Sequence, residues 1–445
     1  MNHKKTFLQF VIPSVMAFAL SGVYTIVDGF FVGNSLGDNG LAAINLAYPI
    51  AAFIQAVGTG IGLAGAIRYA ILKGQKQQQE EKECFTSTVF LLTAFSLFLT
   101  IAILGGISSL IHLFGAEGEI RELMRDYVRV IAFGATFQIF ATGLVPFVRN
   151  LGGSSFAMFT MIAGFITNII LDYLFIWEYG QGMAGAAWAT IAGQGVTVIL
   201  AVGYLIKKNI GFCFPAEKFL PYMTEILKVS LSPFGLTFSC QITTILMNRS
   251  LMLHSGEQAV AVYGCIAYIM AIVYLLLQGV GDGSQPLVSR YYGEGQLSTL
   301  KIMRKLAYVV SGVIAFACMT IVFLLRDHIG ILFGASIETN QNVASYLPLF
   351  LITVLCLAYV RITTSYLYAT EKTSLSYLLV YAEPVIIAIL LVFLPQIEFC
   401  EGFAIWISVP LAQFITWCIS IYIKHYADNQ IILQVANPAE PVNGK

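Results

Sequence analysis

Residues 7–32 read FLQFVIPSVMAFALSGVYTIVDGFFV, a run in which Gln9 and Asp28 are the strongly polar exceptions. About 20 apolar residues carry a helix across a bilayer core, so this stretch is long enough to span. Ala17-Phe18-Ala19 offers a cue of the kind that ends a secretory leader, but the apolar run continues past it to Val32. The expectation is an uncleaved first membrane helix.

Composition extends that reading to the whole chain. Of its 445 residues 58% are hydrophobic and 11% charged, and the mean hydropathy is +0.80. A soluble domain carries about 25% charged residues, and a water-soluble surface cannot be built from so few. With 24 basic and 24 acidic side chains the net charge is zero, so there is no basic field for nucleic acid and none is expected as a partner. The eight cysteines (84, 213, 240, 265, 318, 356, 400 and 418) form no CxxC pair and read as small buried hydrophobes.

Runs of spanning length occur twelve times, at residues 7–33, 41–71, 84–111, 124–147, 155–178, 184–206, 226–253, 259–288, 302–325, 343–368, 374–395 and 402–424. Cytoplasmic loops carry an excess of Lys and Arg. With the amino terminus in the cytoplasm, 19 of the 24 basic residues fall on that side, among them Lys4, Lys5, Lys73, Lys76, Lys207, Lys208, Lys301 and Lys305. Arg121, Arg125, Arg129, Arg249 and Arg326 fall outside. The expected setting is the plasma (inner) membrane, crossed many times, with both termini cytoplasmic.

The sequence also repeats itself. Pro13 and Pro233 stand 220 positions apart, and Leu113-Phe114-Gly115-Ala116 recurs as Leu332-Phe333-Gly334-Ala335 at an offset of 219. Tyr127 pairs with Tyr346, Trp188 with Trp406 and Gln194 with Gln413 at offsets of 218 or 219. Six spans per half is an even number, so both halves enter the membrane from the same side. The predicted fold is an all-α membrane protein whose twelve transmembrane helices form two six-helix lobes, related by a pseudo-two-fold axis along the membrane normal. The amino-terminal lobe is residues 1–206 and the inter-lobe loop 207–225; the carboxy-terminal lobe is 226–424 and the cytoplasmic tail 425–445. Rocking such lobes exposes the cleft between them to either side in turn.

Ionisable residues inside a bilayer are costly and are functional candidates by default. The spans hold Asp28, Asp172, Arg249, Asp282, Arg361 and Glu383. At the repeat offset Asp28 becomes Asn248 and Asp172 becomes Leu391, so the acid pair belongs to one lobe. A rise of about 1.5 Å per residue puts Asp28 about 31 Å along the first helix and Asp172 about 26 Å along the fifth, with Thr190 at similar depth. Tyr24 precedes Asp28 by one turn and Asn168 precedes Asp172 by one turn, so each pair shares a helix face. Tyr24, Asp28, Asn168, Asp172 and Thr190 would offer carboxylate, amide and hydroxyl oxygens, which suit Na⁺ or a proton. Two carboxylates close together in low dielectric cannot both ionise easily and would titrate as a pair. The competing reading is a hydrogen-bonded structural cluster.

The second half has its own candidates. Asp282 lies one turn after Gln278 in a glycine-rich run ending at Pro286, and Glu383 precedes Pro384. Together with Asn248 and Arg249 they read as a carboxy-lobe substrate or coupling site. The alternative is an internal salt bridge in which Arg249 or Arg361 neutralises Asp282 or Glu383. A cleft with Phe, Tyr, Met and a few acids suits lipophilic cations. No HExxH or GxSxG stands in a span, so no enzyme is expected.

Over its whole length the chain resembles the multidrug and toxic compound extrusion (MATE) transporters. The resemblance rests on Pro13, Tyr24-x-x-x-Asp28 and Phe31-Val32-Gly33, then on Asn168-x-x-x-Asp172, Gly185-Ala186-Ala187-Trp188-Ala189-Thr190 and the two Leu-Phe-Gly loops. It implies export of lipophilic organic cations by antiport against H⁺ or Na⁺, with no other cofactor. It implies that Asp28, Asn168, Asp172, Thr190 and Tyr24 form the cation site, with Na⁺ possible at the first four, and that Pro13 is a bending point of the first helix. One branch of the family places an acid pair in helices 7 and 10. Here those helices carry Asn248, Arg249 and Arg361, and Asp282 in helix 8 could substitute. A monomer is expected. The alternative function, on the same superfamily plan, is a flippase for lipid-linked saccharides or lipids.

Overall fold

The structure, a computed structural model, describes residues 3–213, 218–333, 336–396 and 403–436. Gly334, Ala335, Cys400 and residues 437–445 of the expected tail lie outside them. Among the described residues there is no strand. Every backbone donor and acceptor in a span must bond within it, and the helix meets that demand.

Among the described residues twelve spanning helices follow one another: α1 His3–Gly37, α2 Asn39–Gly74, α3 Gln78–Leu113, α4 Gly118–Phe133 with Ala135–Asn150, α5 Ser154–Glu178 and α6 Gly182–Lys207. The second set is α7 219–255, α8 257–293, α9 Leu297–Ile331, α10 Ile337–Leu351 with Val354–Ala369, α11 Thr373–Gln396 and α12 Ala404–Asn429. The breaks fall at glycines with left-handed φ, Gly37 (φ 62°) between α1 and α2 and Gly256 (φ 79°) between α7 and α8. Without the second break, residues 219–293 would form a rod about 110 Å long, against a hydrocarbon core of about 30 Å.

Those breaks are 219 positions apart, the offset at which sequence motifs recur. The bends repeat as well. The two segments of α4 meet at 55° around Gly134, and those of α10 meet at 47° around Thr353, again 219 positions on. Both spans read as single straight helices from their apolar runs, because hydropathy carries no information on a bend. Two boundaries also differ. Helix α7 starts at Phe219, within the stretch taken as the inter-lobe loop 207–225, since Pro221 falls in the first helical turn where no backbone donor is needed. The last helix runs on to Ala436, beyond 424. Arg304 holds this extension through a bidentate pair with Asp428, Nη2 to Oδ2 at 2.8 Å.

Large apolar side chains remain exposed along the outward faces of α3, α6 and α9, including Phe98, Ile101, Ile199, Val313 and Leu324. Apolar patches of this extent on membrane-spanning helices suit a lipid surround. The two lobes close on one another towards the lysine-rich ends of the helices. A Cβ on Gly279 would stand 2.7 Å from the Val15 Cα, and one on Gly74 2.6 Å from the Arg290 carbonyl oxygen, so α8 approaches α1 and α2 at backbone contact. Towards the opposite face the exposed Tyr268 hydroxyl donates to the exposed Asn45 Oδ1 at 3.1 Å.

Candidate functional site

Helix α5 places Asn168 and Asp172 one turn apart on a face turned inward; they are 2% and 0% exposed. Immediately afterwards the chain widens into a π-helical turn, Tyr173–Glu178. Such turns recur at functional sites, and no periodicity in the sequence signals this one. On α6, Gly193 lets the helix approach α5 so closely that an added Cβ would meet the Gly164 carbonyl oxygen at 2.6 Å and the Asn168 Cβ at 3.1 Å. That approach brings Thr190 beside Asn168, whose Nδ2 faces the Thr190 Oγ1 at 3.5 Å.

Helix α1 supplies the opposite wall. Tyr24 stacks on Phe165 of α5 with ring centroids 5.1 Å apart, and its hydroxyl is within hydrogen-bonding reach of Thr190. The Asp28 carboxyl lies within hydrogen-bonding reach of the Asp172 carboxyl. The structure thus brings together the five cation-site candidates of the amino-terminal lobe. It adds Tyr127 of α4, 5% exposed and close to both acids. In the sequence Tyr127 stood out only as the repeat partner of Tyr346.

Four buried oxygens in this pocket receive no hydrogen bond: Asp28 Oδ1, both carboxylate oxygens of Asp172, and Asn168 Oδ1. Among the described residues no lysine or arginine pairs with either acid. A buried carboxylate pair without a counter-charge is strongly unfavourable. Acceptor oxygens alone can be satisfied by a shared proton or by a hard cation. The donor set fits Na⁺ as well as H⁺; among the described residues no group of three His, Cys, Asp or Glu side chains could hold a transition metal.

Pro13 lies within α1, which continues as helix on both sides of it. The carboxy-lobe candidates do not converge. Glu383 Oε1 accepts from Gln413 Nε2 at 3.2 Å, Gln413 Nε2 also donates to the Tyr274 hydroxyl at 2.8 Å, and Thr353 Oγ1 donates to Gln413 Oε1 at 2.6 Å. Arg361 lies over the Tyr274 ring at 5.0 Å and donates to the Leu236 carbonyl oxygen at 3.0 Å.

Asp282 belongs elsewhere: it lies in a salt bridge, as the alternative reading had it, but its partner is Arg149 and not Arg249 or Arg361. Its Oδ2 accepts from Arg149 Nη1 at 3.3 Å and its Oδ1 from Gln278 Nε2 at 3.2 Å. Arg149 comes from α4 of the other lobe. The apolar run of this span ends at residue 147, which leaves Arg149 outside the charges that hydropathy places in the membrane. Arg249 is exposed near the end of α7, and neighbouring Asn248 has an unpartnered Oδ1.

The lobes also match a protein family twice. A MatE family model fits residues 13–174 and again residues 233–394. The chain belongs to the MatE family. The multidrug export protein MepA of Staphylococcus aureus (strain MSSA476) is 26% identical over 345 residues, 76% of this MatE chain and 74% of MepA. MepA of Staphylococcus saprophyticus is 26% identical over 326 residues, 72% and 71% of the two chains. Among solved structures, a MOP superfamily transporter from Pyrococcus furiosus and an outward-facing multidrug resistance MATE family transporter each superpose with a TM-score of 0.90. Each is 22% identical and covers 97% of both chains. They share the twelve-helix, two-lobe MATE fold with this MatE chain.

Proposed function

We propose that this MatE-family transporter is a secondary active antiporter that exports lipophilic organic cations in exchange for inward H⁺ or Na⁺. The observation that carries the reading is the set of four undonated oxygens on Asp28, Asp172 and Asn168, buried in one lobe without a counter-charge. Such a pocket holds a small cation when it is filled and is unstable when it is empty. Export by relatives named as multidrug exporters supports the other half of the exchange.

The lobes meet at the lysine-rich face, which we take as cytoplasmic by the positive-inside rule, with both termini on that side of the plasma membrane. The Tyr268–Asn45 bond also joins the lobes towards the opposite face, and opening that face exposes the cleft to the outside. A cation entering from outside binds at Asp28 and Asp172 and weakens the hold on the cargo, which leaves. The lobes rock, the cation is released inside and new cargo binds. Exchange requires that the two ligands disfavour each other reciprocally. A one-for-one exchange against a monovalent cation moves no net charge, so the ion's concentration gradient drives it, and each tenfold of that gradient, about 1.4 kcal/mol, sustains about a tenfold cargo gradient. Both proposed sites, the acids of the first lobe and the cleft between the lobes, come from a single chain, which is consistent with a monomer.

Proteoliposomes loaded with a fluorescent lipophilic cation test this, with a Na⁺ or a pH gradient imposed separately. Uphill movement under one gradient supports the antiporter and identifies its ion. No movement under either gradient would sink it and favour the lipid flippase.

A further inference from the structure

Arg149 and Asp282 form a dry ion pair across the lobe interface, each 4% exposed. Beside it Asn150 Nδ2 donates to Gln285 Oε1 at 3.2 Å, another bond from α4 to α8. In the proposed cycle the closed face opens, which would separate these helices and break the pair. The two charges then have unequal prospects. Arg149 is one residue from the end of its helix, where a long side chain reaches water. Asp282 lies 11 residues before Gly293, about 16 Å from that end of α8, and cannot. It is left as an unpaired carboxylate in a low-dielectric wall.

What fills this seat in the closed state identifies what else it takes. The Arg149 guanidinium is a flat, delocalised organic cation. It lies 5.6 Å from the centroid of the Phe18 ring, 3.3 Å from the Asp282 carboxylate and 4.0 Å from the Met161 sulfur. An aromatic face, a thioether and a carboxylate are what a lipophilic cation of any covalent origin would select. A crevice lined by Leu236, Leu277, Gln278, Arg361, Ser365 and Tyr368 continues from Asp282; it is closed tight in this conformation, so a cargo molecule reaches Asp282 only when the face opens.

We propose that Asp282, with the Phe18 ring, is the cargo site of the opposite conformation, where an exported organic cation replaces Arg149. Closing the face then returns Arg149 to Asp282 and displaces the cargo towards the outward cleft. The protein carries its own competitor, and this competition ties cargo release to lobe closure. The inference rests on the proposed export of organic cations and names where that cargo binds.

Equilibrium binding of ethidium to the purified protein, in detergent and without any gradient, tests it. Arg149→Gln removes the competitor and frees Asp282, so affinity rises about tenfold; Asp282→Asn removes the receptor and lowers affinity about tenfold. A pair that serves only to latch the lobes is broken equally by either change, and shifts in the same direction would overturn the proposal. Phe18→Leu keeps the packing and both charges, and lowers affinity several-fold by removing the ring face. Unchanged affinity in that variant also counts against the assignment. Opposite shifts at positions 149 and 282, without gradient-driven transport, would support the exchange and sink only the antiport reading. Wild-type protein that binds no ethidium would overturn both.

Discussion

The two lobes repeat their breaks and bends at one offset, yet their buried acids live in opposite circumstances. In the amino-terminal lobe Asp28, Asp172 and Asn168 present oxygens that nothing in the protein donates to. In the carboxy-terminal lobe Glu383 is tied to Gln413, which is tied to Thr353 and Tyr274, and Arg361 stands over the same tyrosine. One cluster has an internal cation and the other has none. With Arg361 fixed within the same lobe and Gln413 donating to its carboxylate, Glu383 has no vacancy for a travelling ion. Under the proposed antiport, the difference favours the acids of the first lobe for coupling and Glu383 for cohesion, although all are intramembrane carboxylates.

The sharpest way to break that comparison is to neutralise one acid in each lobe. Asp172→Asn should abolish uphill export, a loss of at least about 100-fold, because one protonatable or Na⁺-binding carboxylate is gone. Glu383→Gln should retain export within about threefold, since an amide can still accept from Gln413. Initial rates in proteoliposomes measure both. Equal losses would show that the lobes share the work.

Arg361→Met asks the complementary question. Removing one partner of a buried charged cluster costs about 3–5 kcal/mol by leaving the other uncompensated. The thermal midpoint should drop sharply and recover when Glu383→Gln is added. In the amino-terminal lobe, where no arginine balances the acids, Asp28→Asn should stabilise the protein in the absence of the coupling ion. A fall in its midpoint would contradict the unneutralised pair.

These contrasts were partly legible beforehand. Spans, repeat and acid positions follow from hydropathy and residue type, because a bilayer leaves few ways to hide backbone and charge. Tyr24, Asp28, Asn168 and Asp172 could be aligned because helical spacing fixes which residues share a face. The partner of Asp282 was not legible. Which arginine meets it depends on how the lobes dock, and Arg149 was further obscured because its apolar run thins out two residues before it. The π-turn after Asp172 and the bends at Gly134 and Thr353 were equally hidden, since backbone departures of this kind leave the residue pattern unchanged.

The repeated tryptophans sharpen the comparison at smaller scale. Trp406 is 3% exposed and stacks on Tyr346 with centroids 4.1 Å apart, whereas its counterpart Trp188 is 47% exposed. The tyrosine at the matching place in the first lobe, Tyr127, lies near the acids instead. Trp406→Ala should cost about 3 kcal/mol through cavity formation, and Trp188→Ala under about 1 kcal/mol. Denaturation midpoints of the two variants decide. Similar losses would mean that the repeat serves packing in both lobes.

The smallest effect lies where the lobes meet in water. Arg68 of α2 bridges to Glu371 at 3.0 Å and to Glu225 at 3.4 Å, the turn after α10 and the start of α7 respectively. All three side chains are at least a quarter exposed, unlike Arg149 and Asp282. Burial of Glu371 pushes its carboxyl above the usual range, and Arg68 only partly offsets this. The folded chain therefore holds that proton more tightly than the unfolded chain. The stability it carries is complete below the unfolded value of about 4.3 and is lost as pH rises through the folded one. Glu371→Gln keeps the neutral form permanently, so the variant should be more stable at pH 7, by less than about 1 kcal/mol at this exposure. The difference should fade as both proteins approach pH 4. Thermal midpoints at the two pH values check it. A variant less stable at pH 7 would mean that the attraction of Arg68 outweighs burial, and that the wet contact holds the lobes together by charge as the dry one does.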